Sequence, residues 1–341
     1  GYNCIYRLNL SDYTISQIGN TYNAFNSITD GFGMKASFSN QIGSITSDNN
    51  GTLYLFDNRT LRKVHIATQT VTTLPTYPLV NVTAYAVSWC CYSSLNNTVY
   101  YSDGKSLFTY NITNNTTAIL SAVNTSDAAV SKDGAIKYDT NVTQGNVFNP
   151  GGQAAFDSVN NIIYFCETNT NKLRTLNIAT NYIGTLVSGS FWNGTSTITF
   201  ANPNSVYYDP TNKVIYVSTG TYSPSNLNTP GHHYVLQITN PLDSTKRTFS
   251  VITGMPGTLG SNDTSPGTYH SPIVTGIYDN QLMILDRGNN RLRKFDLKLF
   301  TITSIFNGYY SGSGPQTLVG KPAPYLGNTQ HYFKNPYLQS M

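Results

Sequence analysis

The chain has 341 residues, its formal net charge is +4, and only 11% of its residues are charged. This charge provides no basic surface of the kind that nucleic acids require, and no apolar run approaches the roughly 20 residues of a membrane-spanning helix. The chain contains 26 Tyr, 27 Gly, many Thr, Asn and Ser, and no long window of helical periodicity, so its composition predicts an all-β protein.

Six stretches along the chain share one apolar pattern. Each ends in Leu or Ile and has an apolar or aromatic residue two positions earlier, so both side chains lie on one face of an extended strand. The stretches begin 46 to 66 residues apart, slightly above the usual period of propeller blades. They are residues 3–10, 59–66, 105–112, 171–178, 231–238 and 290–297.

Further strand-like stretches surround each repeat. A Thr/Ile-rich stretch follows it after a polar turn, at 13–19, 69–74, 115–120, 181–186, 248–253 and 300–306. In five units another strand precedes it, at 52–57, 98–103, 162–167, 214–219 and 282–287. An earlier strand begins after an aromatic residue and often Asn-Pro, as at 148–150, 200–203 and 269–272. Four such strands form a meander, and repeated meanders form a β-propeller.

One unit resembles a complete NHL repeat. It contains Asp30-Gly31, then Ala36-x-Phe38, then the run from Gly51 to Asp57, then Leu61-Arg62-Lys63-Val64, then Val71 to Leu74. Residues 282–306 are similar to the second half of another NHL repeat, with Asp286, Asn290, Arg291, Leu292 and Arg293 at the signature positions.

The other units keep less of this pattern. Residues 146–186 have Glu167 in place of Asp, and 81–120 keep Asp103 without the basic pair. Residues 190–252 lack both the acid and the basic pair and contain an insertion. The resemblance covers nearly the whole chain and implies an NHL-type six-bladed propeller.

The two ends are predicted to share a blade. Residues 1–19 hold only the last two strands of a unit, and Phe333-Lys334-Asn335-Pro336 repeats the start of a first strand. We therefore predict a six-bladed β-propeller of four-stranded antiparallel blades, with residues 1–307 forming NHL-like blades. Residues 308–341 would form a Gly/Pro/Tyr-rich connector and the closing strand of the first blade.

This arrangement leaves one strand of the shared blade unaccounted for. Residues after Met341 could supply it, the blade could stay short, or a neighbouring molecule could add an edge strand. The first residues do not read as a signal peptide, so we expect either a mature chain or a piece of a longer one.

An acidic residue recurs where the second strand of a unit ends. One interpretation is a ring of carboxylates that binds cations. The other is that each carboxylate accepts backbone N–H groups in its own turn or pairs with the Arg two strands over, and we favour it because the feature recurs with the fold. The positions are Asp57, Asp103, Glu167 and Asp286.

The histidines do not predict a catalytic metal. Some NHL propellers are lyases with histidine-bound zinc at the central channel, and catalytic zinc generally needs three converging protein ligands. No two histidines of this chain occupy equivalent positions in different repeats, so we predict no catalytic residue, no cofactor and no metal. The five are His65, His232, His233, His270 and His331.

Three cysteines are disulfide candidates. Cys90 or Cys91 could bridge to Cys166 in the next blade, or Cys90 and Cys91 could form a vicinal bond that leaves Cys4 and Cys166 too far apart to pair. The decision depends on geometry, because bridged Cα atoms lie within about 7 Å.

The densest basic run is interpreted as an ordinary solvated surface. Because strand residues alternate between faces, its charges should not all converge. Some cytoplasmic NHL propellers bind RNA through such a face, but the sequons and low charge argue against this here. The run contains Arg287, Arg291, Arg293, Lys294 and Lys298.

Twelve Asn-X-Ser/Thr sequons indicate an extracellular or cell-surface protein. Most fall beside predicted turns, where a bulky glycan can be accommodated. They begin at Asn9, Asn50, Asn58, Asn81, Asn96, Asn111, Asn114, Asn115, Asn124, Asn141, Asn193 and Asn262.

The sequence thus predicts a non-catalytic extracellular glycoprotein module for recognition, adhesion or structural assembly. Its partners would be protein or carbohydrate, or further copies of the chain through the incomplete first blade, with no nucleic acid and no membrane span. The alternative is a propeller enzyme, such as a metal-dependent lyase or hydrolase acting at the channel mouth. Aromatic rings with a polar tip suit such contacts, and the candidates are Tyr309, Tyr310, Tyr325, Tyr332 and Tyr337.

Overall fold

The computed structural model describes residues 4–20, 28–39, 42–75, 87–104, 106–121, 131–136, 150–220 and 232–307. They form antiparallel sheets and two 3-10 turns, Gly33–Lys35 and Arg287–Asn289. The strands, in chain order, are β1 (Ile5–Leu8), β2 (Ile15–Ile18), β3 (Gly31–Phe32), β4 (Ile42–Ser47), β5 (Thr52–Asp57), β6 (Thr60–His65), β7 (Thr70–Thr73), β8 (Trp89–Ser93), β9 (Thr98–Ser102), β10 (Leu107–Asn111), β11 (Thr116–Ser121), β12 (Gly134–Ala135), β13 (Pro150–Asp157), β14 (Ile162–Glu167), β15 (Lys172–Asn177), β16 (Tyr182–Ser188), β17 (Ser190–Trp192), β18 (Thr197–Thr199), β19 (Pro203–Asp209), β20 (Val214–Thr219), β21 (His232–Thr239), β22 (Thr248–Pro256), β23 (Pro272–Tyr278), β24 (Gln281–Asp286), β25 (Arg291–Asp296) and β26 (Ile302–Asn307).

Five four-stranded meanders form the blades of a β-propeller. Blades 1 to 5 are β4–β7, β8–β11, β13–β16, β19–β22 and β23–β26. The short strands β3 and β12 add a fifth strand outside blades 1 and 3, and β17 pairs with β18 as a separate hairpin. Strands β1 and β2 pair only with each other among the described residues, and we call them the N-terminal hairpin.

An apolar layer lies between each pair of successive sheets. The sixth residues of five repeats are fully buried in these layers, namely Val64, Tyr110, Leu176, Leu236 and Phe295. Of the Leu and Ile residues that end the repeats, Ile66 and Ile238 are buried and the others are partly buried. Complete burial of one such side chain stabilises the fold by about 1.5–3 kcal/mol. The layers therefore account for the recurring apolar pattern of the sequence.

The N-terminal hairpin lies between blade 5 and blade 1. Ile5 and Ile18 pack against the apolar cluster of blade 1. Leu8 and Ile15, on the same two strands, pack against a cluster of blade 5 that includes Met283. The described sheets thus close into a ring through this hairpin.

The all-β propeller prediction is confirmed, whereas the predicted six four-stranded blades are not. The described residues form five such blades, because the N-terminal hairpin contributes only two strands. Residues 308–341, which were predicted to complete the shared blade, lie outside the described residues.

In blade 4, the stretch 231–238 pairs two residues away from the register that its alignment with 171–178 predicted. Leu236 lies opposite Val217, just as Arg174 lies opposite Phe165 in blade 3. The sequence alignment instead placed Tyr234 at the arginine position. The last residue of β21, Thr239, corresponds to Asn177 of β15, and the two additional residues of β21 lie at its start.

The meander gives the ring two different faces. Because consecutive strands are antiparallel, turns between strands one and two and between strands three and four lie at the same end of each blade. We call this end the lower face. Turns between strands two and three, and the connections between blades, lie at the upper face.

Candidate interaction surface

The upper ends of blades 1, 3 and 5 each contain a buried ion pair. The second strand ends in an acidic residue, and an Arg of the third strand reaches it from the same sheet. All six side chains are completely buried. The pairs are Arg62–Asp57 at 2.9 Å, Arg174–Glu167 at 3.3 Å and Arg293–Asp286 at 2.9 Å.

A second aspartate extends each pair to the outer edge of its blade. It contacts the same Arg, remains partly exposed, and also accepts a hydrogen bond from the fourth strand, as Asp30 does from the N–H of Thr73 at 2.9 Å. We call each set of three residues a brace. The outer pairs are Arg62–Asp30 at 3.1 Å, Arg174–Asp133 at 3.2 Å and Arg293–Asp263 at 2.6 Å.

A short sequence pattern could have identified two of these three outer aspartates. Asp133-Gly134 repeats the Asp30-Gly31 pair, and both glycines begin the short strand outside their blade. The third outer acid, Asp263, has no following glycine, and only the structure identifies it.

The recurring carboxylates are structural, which confirms the favoured interpretation. Asp57 accepts the N–H of Ser39 at 2.9 Å, and Asp286 accepts that of His270 at 2.8 Å. Asp103, in the blade that has Phe108 at the arginine position, accepts the N–H of Ser106 at 2.7 Å within its own turn. Burial opposes ionisation and raises the pKa of Asp286 to about 6, although these bonds and Arg293 favour the charged form.

The basic run does not form one solvated surface. Arg293 is completely buried in the blade 5 brace, where its guanidinium also lies 4.4 Å from the ring centre of Tyr269. Lys298 is exposed, and Arg287, Arg291 and Lys294 are partly exposed. The run was correctly predicted to alternate between the two faces of its strand. Arg293, however, pairs with Asp286 inside its own sheet and is not solvated.

Two histidines meet at the upper face between blades 4 and 5. The rings of His233 and His270 are 5.7 Å apart and edge-on, and His233 Nδ1 accepts the N–H of Ser271 at 3.1 Å. Burial lowers the pKa of His270 and of His232. The described residues contain no group of three His, Cys, Asp or Glu side chains that could hold a metal ion.

The cysteines are free thiols in the structure. Cys90, Cys91 and Cys166 are buried and belong to three different apolar clusters, so neither proposed bridge is present. Cys90 and Cys91 lie on opposite faces of β8, as neighbouring strand residues do. Burial raises the pKa of Cys90 to about 12 and that of the other two further.

Nine of the twelve predicted glycosylation sites lie within the described residues. All nine are at turns or strand ends and are exposed or partly exposed, namely Asn9, Asn50, Asn58, Asn96, Asn111, Asn114, Asn115, Asn193 and Asn262. The other three, Asn81, Asn124 and Asn141, lie outside the described residues, as do Tyr309, Tyr310, Tyr325, Tyr332 and Tyr337.

Six of these sequons share one part of the lower face. They lie on the turns of the N-terminal hairpin, blade 1 and blade 2, and we call this part the sequon sector. The fully described lower turns of blades 3 to 5 contain no sequon. The sequon sector consists of Asn9, Asn50, Asn96, Asn111, Asn114 and Asn115.

The lower turns of blades 3 to 5 expose large apolar side chains without a neighbouring sequon, whereas Leu95, which is exposed in a lower turn of the sequon sector, directly precedes Asn96. Phe32 and Met34, on either side of Gly33 near the lower end of blade 1, are exposed as well. Each of blades 3 to 5 contributes at least one such side chain, and Leu299 is the most exposed at 71%. We call the lower face of these three blades the apolar sector. It consists of Val159, Tyr182, Leu242, Tyr278, Leu299 and Phe300.

Local hydrogen bonds fix the turns that present this sector. Asp157 accepts the N–H of Val159 at 3.0 Å, and Asp296 accepts that of Leu299 at 2.9 Å. Phe300 adopts a left-handed φ of 54°, and its ring packs edge-on against Phe295 at 5.9 Å. The apolar side chains are therefore held outward by ordered turns.

No protein-family model and no curated protein sequence matches this chain. Solved structures match its fold. An auxiliary nutrient binding protein from Bacteroides thetaiotaomicron has a TM-score of 0.60 at 15% identity, over 88% of this chain and 66% of that chain. A protein of the same description from Bacteroides ovatus has a TM-score of 0.56 at 12% identity, over 89% and 65%.

A chain of a nidogen/laminin complex has a TM-score of 0.55 at 14% identity, over 89% of each chain. This chain spans slightly less than two thirds of the two nutrient-binding chains. The neighbours are β-propellers of the NHL and YVTN type, and at these identities they show the fold alone. Membership of the NHL-repeat family is not confirmed. No described helix is long and apolar enough to cross a membrane.

Proposed function

We propose that this chain is a non-catalytic extracellular glycoprotein module for recognition, adhesion or structural assembly. The observation that carries the proposal is the division of the lower face into a sequon sector and an apolar sector. Glycans in the first sector would keep it solvated. The second sector would remain accessible and would contact a protein or a carbohydrate.

The composition of the apolar sector supports a contact surface. Aromatic residues are enriched in protein interfaces, and tyrosine offers an apolar ring with a hydrogen-bonding tip. The exposed charges nearby have both signs, with Lys213 and Lys298 against Asp279. This balance favours a partner without strong net charge. The nidogen/laminin neighbour supports protein binding as a use of this fold.

A glycan placed in the apolar sector would test the proposal. Asp279→Asn with Gln281→Thr creates a sequon in the blade 5 turn that follows Tyr278. The secreted protein should bind at least one member of an array of extracellular-matrix proteins and glycans, and the added glycan should weaken this binding at least tenfold. An unglycosylated form of the variant is the control. Equal binding with and without the added glycan would contradict the proposal.

We propose further that the N-terminal hairpin is the outer half of a sixth blade that residues 308–341 complete. Its two strands contact blade 5 on one side and blade 1 on the other, as a blade in that position would. Copies of the chain could also contribute the missing strands, in which case the protein would assemble.

The alternative function is a metal-dependent lyase or hydrolase at the channel mouth. It is favoured by one observation, the buried pair of His233 and His270 at the upper face. Metal analysis of the purified protein distinguishes the two proposals. Stoichiometric zinc that is lost in His270→Ala would support the enzyme, and metal-free protein that still binds its partner would support the recognition module.

A further inference from the structure

The hairpin of β17 and β18 carries an exposed tryptophan next to a sequon. Trp192 is 59% exposed, whereas the other tryptophan of the chain, Trp89, is completely buried. Asn193, Gly194 and Thr195 follow it and form the sequon. Exposure of the large apolar surface of an indole to water is unfavourable in free energy. Coverage of Trp192 by another group would therefore be favourable.

The orientation of Trp192 is set by its neighbour on the strand. Phe191 points into the core, where its ring lies 5.4 Å from that of Phe249 and 6.4 Å from that of Tyr234. Because successive strand side chains point to opposite faces, Trp192 must point outward. The buried phenylalanine therefore anchors the hairpin and fixes the tryptophan on its outer side.

The turn holds the asparagine in one orientation. Asn193 Oδ1 accepts the N–H groups of Thr195 at 3.0 Å and Ser196 at 2.8 Å, and the hydroxyl of Thr195 at 2.9 Å. These bonds use the oxygen only, and within the described residues no hydrogen bond involves Nδ2, the atom to which a glycan is attached. Gly194 adopts φ +96° with open space where a Cβ would be, so nothing crowds the amide from that side.

The Oδ1 bonding is shared with Asn9, whose Oδ1 accepts the N–H and the hydroxyl of Ser11, whereas two other sequons differ in the use of Nδ2. Nδ2 of Asn96 donates to Tyr100 at 2.9 Å, and Nδ2 of Asn111 donates to the carbonyl of Asn96 at 3.2 Å. Tyr110, the one other aromatic residue that directly precedes a described sequon, is completely buried. Among the described sequons, Asn193 is therefore the one that follows an exposed aromatic ring.

We propose that Trp192 is the platform on which the glycan of Asn193 rests. The first N-acetylglucosamine of an N-linked glycan has a face of C–H groups, and this face would stack on the indole next to the attachment point. Stacking would cover the exposed ring and hold the turn. The inference rests on the proposed function, because it requires that the chain is glycosylated.

The test compares single-sugar and sugar-free proteins. Protein secreted from eukaryotic cells with high-mannose glycans is trimmed by an endoglycosidase to one N-acetylglucosamine per site, and peptide mass spectrometry measures occupancy at Asn193. Wild type, Trp192→Ala, Asn193→Gln and the double variant are then compared. Leu95→Ala with Asn96→Gln, at a sequon that follows an exposed aliphatic residue, is the matched control set.

Asn193→Gln removes the sugar together with the Oδ1 bonds of the turn, and stacking of the sugar should account for about 2 °C of the Tm that wild type loses. The sugar should also protect Trp192 from acrylamide quenching of its fluorescence. In the Trp192→Ala background the loss of Tm from Asn193→Gln should be smaller by this amount, and the Leu95 and Asn96 set should show no such coupling. Trp192→Phe should retain part of the effect.

An equal loss of Tm from Asn193→Gln in wild type and in Trp192→Ala would overturn the inference, as would unchanged quenching in the glycosylated wild type. An unoccupied Asn193 in a protein glycosylated elsewhere would overturn it and leave the proposed function standing. Absence of glycan from every sequon would overturn both.

Discussion

At the residue scale, the three braces place fully buried arginines in the sheets of a chain that has few charges. Each arginine faces one buried and one partly exposed carboxylate, so its desolvation is offset by two ion pairs. Buried ion pairs contribute little net stability over apolar residues of the same volume, but removal of one partner is costly. The braces therefore specify how the second, third and fourth strands meet.

Removing one brace arginine should destabilise the protein strongly. Arg293→Met leaves Asp286 buried without its partner, and we expect a loss of about 3–5 kcal/mol in the free energy of unfolding, measured by urea titration. Arg293→Leu with Asp286→Thr reproduces the equivalent residues of blade 4 and should cost less. Lys246→Met, which removes an exposed pair with Asp243 at 3.5 Å, should change stability by less than about 1 kcal/mol. Equal losses of unfolding free energy in Arg293→Met and Lys246→Met would contradict this account.

The buried thiols and phenols should make the protein sensitive to alkali. Their folded pKa values are raised by burial, so the folded state holds these protons more tightly than the unfolded chain does. Their contribution to stability is then complete below about pH 8.5 and is lost as pH rises toward the folded values. The groups are Cys90, Cys91, Cys166, Tyr101, Tyr164, Tyr234 and Tyr269.

Urea midpoints should therefore fall between pH 8 and pH 11, and absorbance at 295 nm should show a set of tyrosines that ionise only as the protein unfolds. A thiol reagent at pH 8 should leave these three cysteines unmodified in the folded protein and modify them in urea. Reaction of all three in the folded state, or a constant midpoint up to pH 11, would disagree with the buried positions.

At the element scale, the N-terminal hairpin approaches blade 1 closely at Gly19. Gly19 follows β2 with φ +96°, and a Cβ there would lie 2.6 Å from the ring of Phe38. The N–H of Asn20 then donates to the carbonyl of Ala36 at 2.8 Å. The glycine thus allows both the left-handed backbone and the close approach to an aromatic ring.

Gly19→Ala should lower stability more than Gly257→Ala. Both glycines have positive φ, for which an L-residue costs about 1–2 kcal/mol, but Gly257 has open space around it. The additional loss in Gly19→Ala measures the contact with Phe38, and thermal unfolding of both variants gives the difference. An equal loss would mean that the hairpin moves away from blade 1 without cost.

Element boundaries were the most predictable part of the fold. The predicted strands 52–57, 162–167 and 214–219 coincide with β5, β14 and β20, because continuous apolar runs between turn residues are typical of buried strands. Strands β3 and β12 were not predicted, since two residues give no periodicity. The burial of Arg293 could not be predicted either, because it depends on Asp263 from a distant connection.

At the scale of the whole molecule, the sequence predicted a propeller but not the division of its lower face. The sequons can be read from the sequence. The face of the propeller on which each one lies, however, depends on which turns are at the same end of a blade. Val159, Leu242 and Leu299 sit in turns that no pattern separates from other turns. Their common location follows only when the five meanders are placed in one ring.

Removal of residues 308–341 tests whether the ring has a sixth blade. If these residues complete it, the truncated protein should have a lower Tm, because the N-terminal hairpin would lose its inner neighbours. Self-association measured by analytical ultracentrifugation should disappear if assembly uses the same blade. A truncated protein with unchanged Tm would leave the hairpin as a complete two-stranded element and contradict the sixth blade.

The braces occur in blades 1, 3 and 5, whereas Phe108 and Leu236 occupy the arginine position in blades 2 and 4. At the upper ends of these two blades an apolar side chain packs where the other blades have a brace arginine. Apolar packing does not require an acidic residue of a connecting segment to lie at one fixed position. New peptide segments, or new chain termini in a circularly permuted version, should be accepted there more readily than in the other three blades. In blade 4 the connection between β20 and β21 at this end already has twelve residues, against two to four in the other blades.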